Sequence, residues 1–214
     1  MRAMQRVIED RFGDVAIRNK YEALVRTCVP KRRAPEGAPP RNVMFVSHNL
    51  NVGEGAPTSL MQTVLGLKKA YNITPTVFAV IDGALRKTYE EAGIKVTVPE
   101  LGVKSRLATK IISRTYEDMA EAFRTALKDY DIDLTVANTA TSLWFASMSE
   151  SAGVPAVSMI RESSNEHVAF DFGPEPVMET CRAGLAQGQS TIFVSDHTRK
   201  LWQASHDIPD ARLI

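Results

Sequence analysis

Short, predominantly apolar β-rich runs alternate with helical stretches along most of this chain. That alternation limits its fold more than any other feature. Val43-Met44-Phe45-Val46-Ser47, Thr76–Ile81, Ile94–Val98, Leu134–Ala137, Ala156–Ile160 and Thr191–Val194 have the composition of strands buried on both faces. Between them Pro57–Tyr71, Gly83–Ala92, Ser105–Tyr130, Thr139–Ala152, Pro174–Ala186 and Asp196–Ala204 read as helices. In the first, Leu60, Met61, Val64, Leu65 and Leu67 share a face, and Pro57 suits a first helical turn. Gly93 and Gly153 supply stops, Ser195 is placed to cap the last helix, and Ala211–Ile214 begins a further strand. Strands and helices joined by short loops make βαβ units. The expected fold is α/β: a doubly wound, mostly parallel Rossmann-like sheet with helices on both faces.

Residues 1–29 have apolar positions at helical spacing and read as an N-terminal helical segment. Residues 30–41, PKRRAPEGAPPR, have the composition of a proline-rich basic linker, and 42–214 form the Rossmann-like domain. Lys31-Arg32-Arg33 is too short a basic cluster to change the balance. With a formal net charge of +1, nothing predicts nucleic-acid binding. No apolar run reaches the ~20 residues that span a bilayer, so membrane contact is expected to be peripheral at most. Cys28 and Cys181 are far apart in sequence, and the bland reading is a reduced, cytoplasmic protein.

In a doubly wound sheet ligands sit beyond the C-terminal ends of the strands, so the segments that follow each strand carry the candidates. After the first come His48 and a loop with Gly53, Gly55 and Ala56, opening a helix. Glycines there let backbone N–H groups approach a ligand, and a helix N-terminus favours phosphate; a plain strand-to-helix turn is the structural alternative. The loop is an incomplete dinucleotide fingerprint, because Thr58 stands where the third glycine would fall. Asp82 can serve as a ribose-binding acid or cap the next helix. Asn138 and Thr139 follow the fourth strand and either bind hydroxyls or cap a helix. Arg161 and Glu162 follow the fifth and form either a ligand site or an ion pair bracing the sheet end. Asp131-Ile132-Asp133 precedes a strand and reads as a cap of its start. The four histidines lack metal-ligand spacing and no Cys-x-x-Cys occurs, so neither metal nor cofactor is expected.

Together these segments resemble family 4 retaining glycosyltransferases of GT-B architecture. The carriers are Ser47-His48, Gly55-Ala56-Pro57, Asp82-Gly83-Ala84-Leu85 and Glu91-Ala92-Gly93-Ile94. They are followed by VANTATSLWFASMSESAGVPAVSMIRES and TIFVSDHTRKLW, in the family's order, over roughly 42–214. The resemblance implies the acceptor-side half of an enzyme that moves a sugar from a nucleoside diphosphate sugar to a hydroxyl acceptor, with retention. It implies a donor-diphosphate loop at Gly53, Gly55 and Ala56, and acceptor contacts at His48, Asn138 and Thr139. Arg161 and Glu162 match the family's His-Glu catalytic pair, with arginine in place of the commoner histidine. The donor half, with its Glu-x7-Glu motif, is not in this sequence, so the chain alone is expected to be inactive. The rival readings are a non-catalytic sugar- or nucleotide-binding module and a dinucleotide-dependent oxidoreductase.

Overall fold

The computed structural model describes residues 41–100, 109–163, 178–179, 181–182, 185, 190–208 and 211–213. The N-terminal helical segment, the linker up to Pro40, Cys28, His167 and much of Pro174–Ala186 lie outside the described residues, and Arg41 begins the first strand. The elements are β1 (Arg41–Asn49), α1 (Gly55–Ala70), β2 (Ile73–Ile81), α2 (Leu85–Glu91), β3 (Lys95–Thr97) and α3 (Thr109–Asp129). Then come β4 (Leu134–Asn138), a 3₁₀ turn (Ala140–Ser142), α4 (Leu143–Ser151), β5 (Ala156–Ile160), β6 (Ser190–Phe193), α5 (Asp196–Gln203) and β7 (Ala211–Leu213).

The seven strands form one sheet in the order β3-β2-β1-β4-β5-β6-β7, and every neighbouring pair is parallel. The chain winds outward from β1 to β3, then returns to lay β4 on the other side of β1. The crevice beyond the ends of β1 and β4 is therefore the switch point, where such sheets hold ligands. The fold is the doubly wound, Rossmann-like α/β sheet that the alternation predicts.

Side chains alternate across β1, and each parity feeds a different core. Val43 and Phe45 pack with Leu60, Val64 and Leu67 of α1 and with Leu85 and Tyr89 of α2. Met44 and Val46 pack on the opposite face with Met119, Phe123 and Leu127 of α3 and Leu143 and Phe145 of α4. Phe78, Phe123 and Phe145 meet ring to ring at 4.9–5.4 Å, a geometry that adds about 0.5–1.5 kcal/mol per pair beyond area burial. Both sheet faces are thus covered, which is why these strands are predominantly apolar.

Two boundaries differ from the sequence expectation. The helix expected from Gly83 begins at Leu85, because Gly83 lies against the Leu50 backbone instead. The helix expected from Thr139 starts as the 3₁₀ turn, because Thr139 is held outside helical space at φ 84°. Elsewhere the caps behave as anticipated. Ser195 Oγ accepts from the Thr198 N–H at 3.1 Å. The Asp133 carboxylate accepts from the Asn42 N–H at 2.9 Å, and Asn42 Nδ2 donates to the Asp131 carbonyl at 3.0 Å. Asp131-Ile132-Asp133 therefore ties β1 to β4 at the end of the sheet opposite the switch point. Cys181 is a free, buried thiol, and burial pushes its pKa up to about 12, which disfavours the thiolate. Among the described residues no helix is long and apolar enough to cross a membrane.

Candidate functional site

Three segments that leave the strands, after β1, β4 and β5, meet at the switch point. After β1, the Asn49 side chain, itself buried, folds back on the loop. Its Oδ1 accepts from the Asn51 N–H at 3.0 Å, and its Nδ2 donates to Glu54 at 2.8 Å. Glu54 also accepts from Asn51 Nδ2 at 2.9 Å and makes a longer contact, 3.3 Å, with His48 Nε2. Gly53 allows the tight path at φ 90°, where a side chain would be strained.

Glu54 is the cap residue of α1, yet its carboxylate points back to β1 and makes no side-chain cap bond; the first turn holds no acid. The N–H groups of Gly55 and Ala56 are therefore left uncapped at the positive end of this 16-residue helix, while Pro57 has none and Thr58 donates to the Glu54 carbonyl at 3.3 Å. A Cβ placed on Gly55 would meet nothing within 4 Å, so space lies over this end.

Across the crevice, β5 delivers Arg161. Its Nε donates to Asn138 Oδ1 at 2.6 Å, and a terminal nitrogen donates to Ser59 Oγ in the first turns of α1 at 3.1 Å. Asn138, fully buried at the end of β4, donates in turn to the Ala56 carbonyl at 3.3 Å. One chain of contacts thus runs Arg161–Asn138–Ala56, from the end of β5 over β4 to the start of α1. Glu162 takes a different role. Its carboxylate accepts from the main-chain N–H groups of Ala140 (2.9 Å) and Arg161 (3.1 Å), and its carbonyl accepts from Trp202 Nε1 at 3.0 Å. It holds the 3₁₀ turn against β5.

Thr139 sits between these contacts, almost wholly buried. Its backbone, at φ 84° and ψ 154°, lies in a region that is nearly glycine-only and costs about 1–3 kcal/mol for other residues. Its hydroxyl pairs with Thr141 Oγ1 at 2.9 Å and contacts His48 Nδ1 at 3.4 Å; it does not cap the turn. His48 is thereby held from both ring nitrogens, by Glu54 on one side and Thr139 on the other.

The candidates His48, Gly55, Ala56, Asn138, Thr139, Arg161 and Glu162 therefore gather at one mouth. Asp82 does not join them. Its carboxylate accepts from the Gly83 N–H at 2.8 Å and from Arg86 at 2.7 Å, and the Arg86 guanidinium holds it below the usual carboxylate range. Sequence reasoning passed over Glu54 and Ser59. The signal for Glu54 was an acid lying within six residues of three donor side chains; Ser59 carried none. Among the described residues no group of three or more His, Cys, Asp or Glu side chains could hold a metal ion.

The donors around Glu54, Asn49 foremost, then Asn51 and His48, lower its pKa from the ordinary 4.5 to about 2. A carboxyl whose folded pKa is depressed adds stability above the unfolded value, and that contribution is lost as pH falls through the folded one. Comparing chemical unfolding of the native chain and Glu54→Gln should therefore show their difference shrink as pH falls from 4.5 to 2. A constant difference would mean that the loop does not depend on the charge.

Comparison with known proteins fits this geometry at the level of fold. No family model matches the chain, and no curated protein matches it by sequence. Solved structures do. HepE of Anabaena, crystallised with UDP and glucose, superposes with a TM-score of 0.54 at 18% identity, over 80% of this chain and 43% of that one. Sucrose-phosphate synthase of Thermosynechococcus elongatus gives 0.59 at 13% identity, over 81% and 47%. MurG of Acinetobacter baumannii gives 0.51 at 8% identity, over 74% and 42%. The chain thus has a fold found in GT-B glycosyltransferases and spans less than half the length of each of these three.

Proposed function

We propose that this chain is the acceptor-side, N-terminal half of a glycosyltransferase that uses a nucleoside diphosphate sugar and transfers the sugar, with retention, to a hydroxyl acceptor. The observation that carries the reading is the uncapped start of α1 with the Arg161 guanidinium against its first turns. Open N–H groups and a fixed guanidinium make a seat for an anion with several oxygens, as a diphosphate has. As the bond from sugar to diphosphate breaks and a bond to the acceptor forms, negative charge grows on the diphosphate. Fixed positive groups support it without reorganising. Gly53, Gly55 and Ala56 form the loop beside that seat. His48, Asn138 and Thr139 line the acceptor side, and Glu162 sets the turn that carries Thr139.

The likeness to a structure holding UDP and glucose supports a nucleotide-sugar donor. Family 4 membership, retention and the catalytic naming of Arg161 and Glu162 rest on the sequence resemblance. The complete enzyme is expected to draw most donor contacts from a second half, so the chain alone should not turn over. A dinucleotide role is disfavoured, since Asp82 is engaged by Arg86 and Gly83. Titrating the chain with UDP and with NAD tests the reading. Weak, saturable UDP binding with NAD binding no more tightly is expected; micromolar NAD binding without UDP binding would overturn it.

A further inference from the structure

Thr139 stands out because its conformation works against its own residue type. Among the described non-glycine residues, only Asp131 and Thr139 have positive φ. Asp131, at φ 48°, lies where a short polar side chain is tolerated, at the end of the sheet away from the switch point. Thr139, at φ 84° and ψ 154°, is β-branched and lies where essentially only glycine is at ease, yet it sits at the switch point itself. Its surroundings impose this geometry. Its N–H donates to the Met159 carbonyl at 2.8 Å, its carbonyl accepts from the Ser142 N–H at 3.1 Å, and the following N–H, of Ala140, is taken by Glu162.

A glycine would adopt this backbone without strain, so the fold alone gives no reason for a side chain here. What the side chain adds is a hydroxyl, buried, paired with Thr141 and touching the ring of His48. We propose that Thr139 is a positioning residue: the chain tolerates its strain so that its hydroxyl fixes His48 on the wall of the ligand mouth. This deepens the nucleotide-sugar reading and rests on it where ligand binding is concerned. The strain and the hold on His48 stand independently.

Three variants separate the contributions. Thr139→Ala keeps the strain and loses the hydroxyl, Thr139→Gly loses both, and Thr139→Ser keeps both. Glycine normally melts below alanine; here Thr139→Gly should melt about 2–4 °C above Thr139→Ala. The NMR resonances of the His48 imidazole should shift in the Gly and Ala variants and stay near native in Thr139→Ser. Because the His48 ring also contacts Glu54, the residue that opens α1 beside the diphosphate seat, UDP affinity should fall about fivefold in the Gly and Ala variants and recover in the Ser variant. The proposal is overturned if the Ala variant melts as high as the Gly variant, or if Thr139→Gly leaves His48 and UDP affinity unchanged. A native chain that does not bind UDP would instead contradict the functional reading, and the melting and imidazole results would still decide this one.

Discussion

Replacing Arg161 with alanine should weaken binding of UDP by about 10- to 100-fold, the loss expected when charge-assisted hydrogen bonds to an anion are removed. Lysine should recover little of it, because a point charge does not reproduce a fork that bonds Asn138 and Ser59 while facing the crevice. The same substitution also tests how far the residue braces the fold. If Arg161 and Glu162 simply neutralised each other, removing one would strand the other's charge and cost about 3–5 kcal/mol. The contacts argue for less. Glu162 accepts from the main-chain N–H groups of Ala140 and Arg161, and both survive in Arg161→Ala. Ser59 and the buried amide oxygen of Asn138 lose a partner, and the buried oxygen costs about 1–3 kcal/mol. Calorimetric titration and thermal unfolding of one variant read both quantities. A large drop in melting temperature with unchanged affinity would make Arg161 a strut.

Gly83→Ala should be the most damaging small substitution in the loops around the mouth. A Cβ at position 83 would lie 2.3 Å from the Leu50 carbonyl oxygen, 2.4 Å from its carbon and 2.8 Å from the Asn51 nitrogen. These are backbone atoms, so no side chain can swing aside. Separating the two segments would also strain the bond from the Leu85 N–H to the Leu50 carbonyl, 3.0 Å, which anchors the β1–α1 loop to the start of α2. Overpacking and a weakened buried hydrogen bond together should cost about 2–4 kcal/mol. For a chain of this length the melting temperature should fall by roughly 5–15 °C. The control is Gly66→Ala within α1, where an added Cβ meets nothing within 4 Å. That change should stabilise by about 0.5–1 kcal/mol, as alanine for glycine inside a helix generally does. Equal effects at the two positions would mean that Gly83 does not lie against Leu50.

These two positions show what could be read from the sequence. The sheet was legible because strands buried on both faces cannot hide their composition: Val43-Met44-Phe45-Val46 and, Ser158 apart, Ala156–Ile160 are apolar and serve two cores. The gathering of the candidate residues at one end of the sheet was legible because polarity changes abruptly towards the ends of those strands, at His48, Asn138 and Arg161. Contacts between segments distant in sequence were not. Gly83 read as the start of a helix, since nothing local reveals that it touches Leu50. Thr139 read as a helix residue or cap, because local preference gives threonine no reason to adopt φ 84°. The back-folded carboxylate of Glu54 needed the path set by Gly53. Arg161 and Glu162, adjacent and opposite in charge, invited an ion-pair reading, yet the carboxylate of one goes to main-chain N–H groups and the guanidinium of the other to α1 and β4.

On the proposed function, the mouth between β1 and β4 receives a nucleoside diphosphate. Residue-by-residue NMR, recorded as UDP is added to the isotopically labelled chain, tests it most directly. Saturable shifts are expected, confined to the Gly53–Ser59 backbone, Asn138–Ala140, the Arg161 guanidinium and the His48 ring, with Asn42, Asp131 and Asp133 at the opposite end unmoved. Shifts centred on that opposite end, or no saturable shift at Gly55 and Arg161 while NAD produces one there, would contradict it.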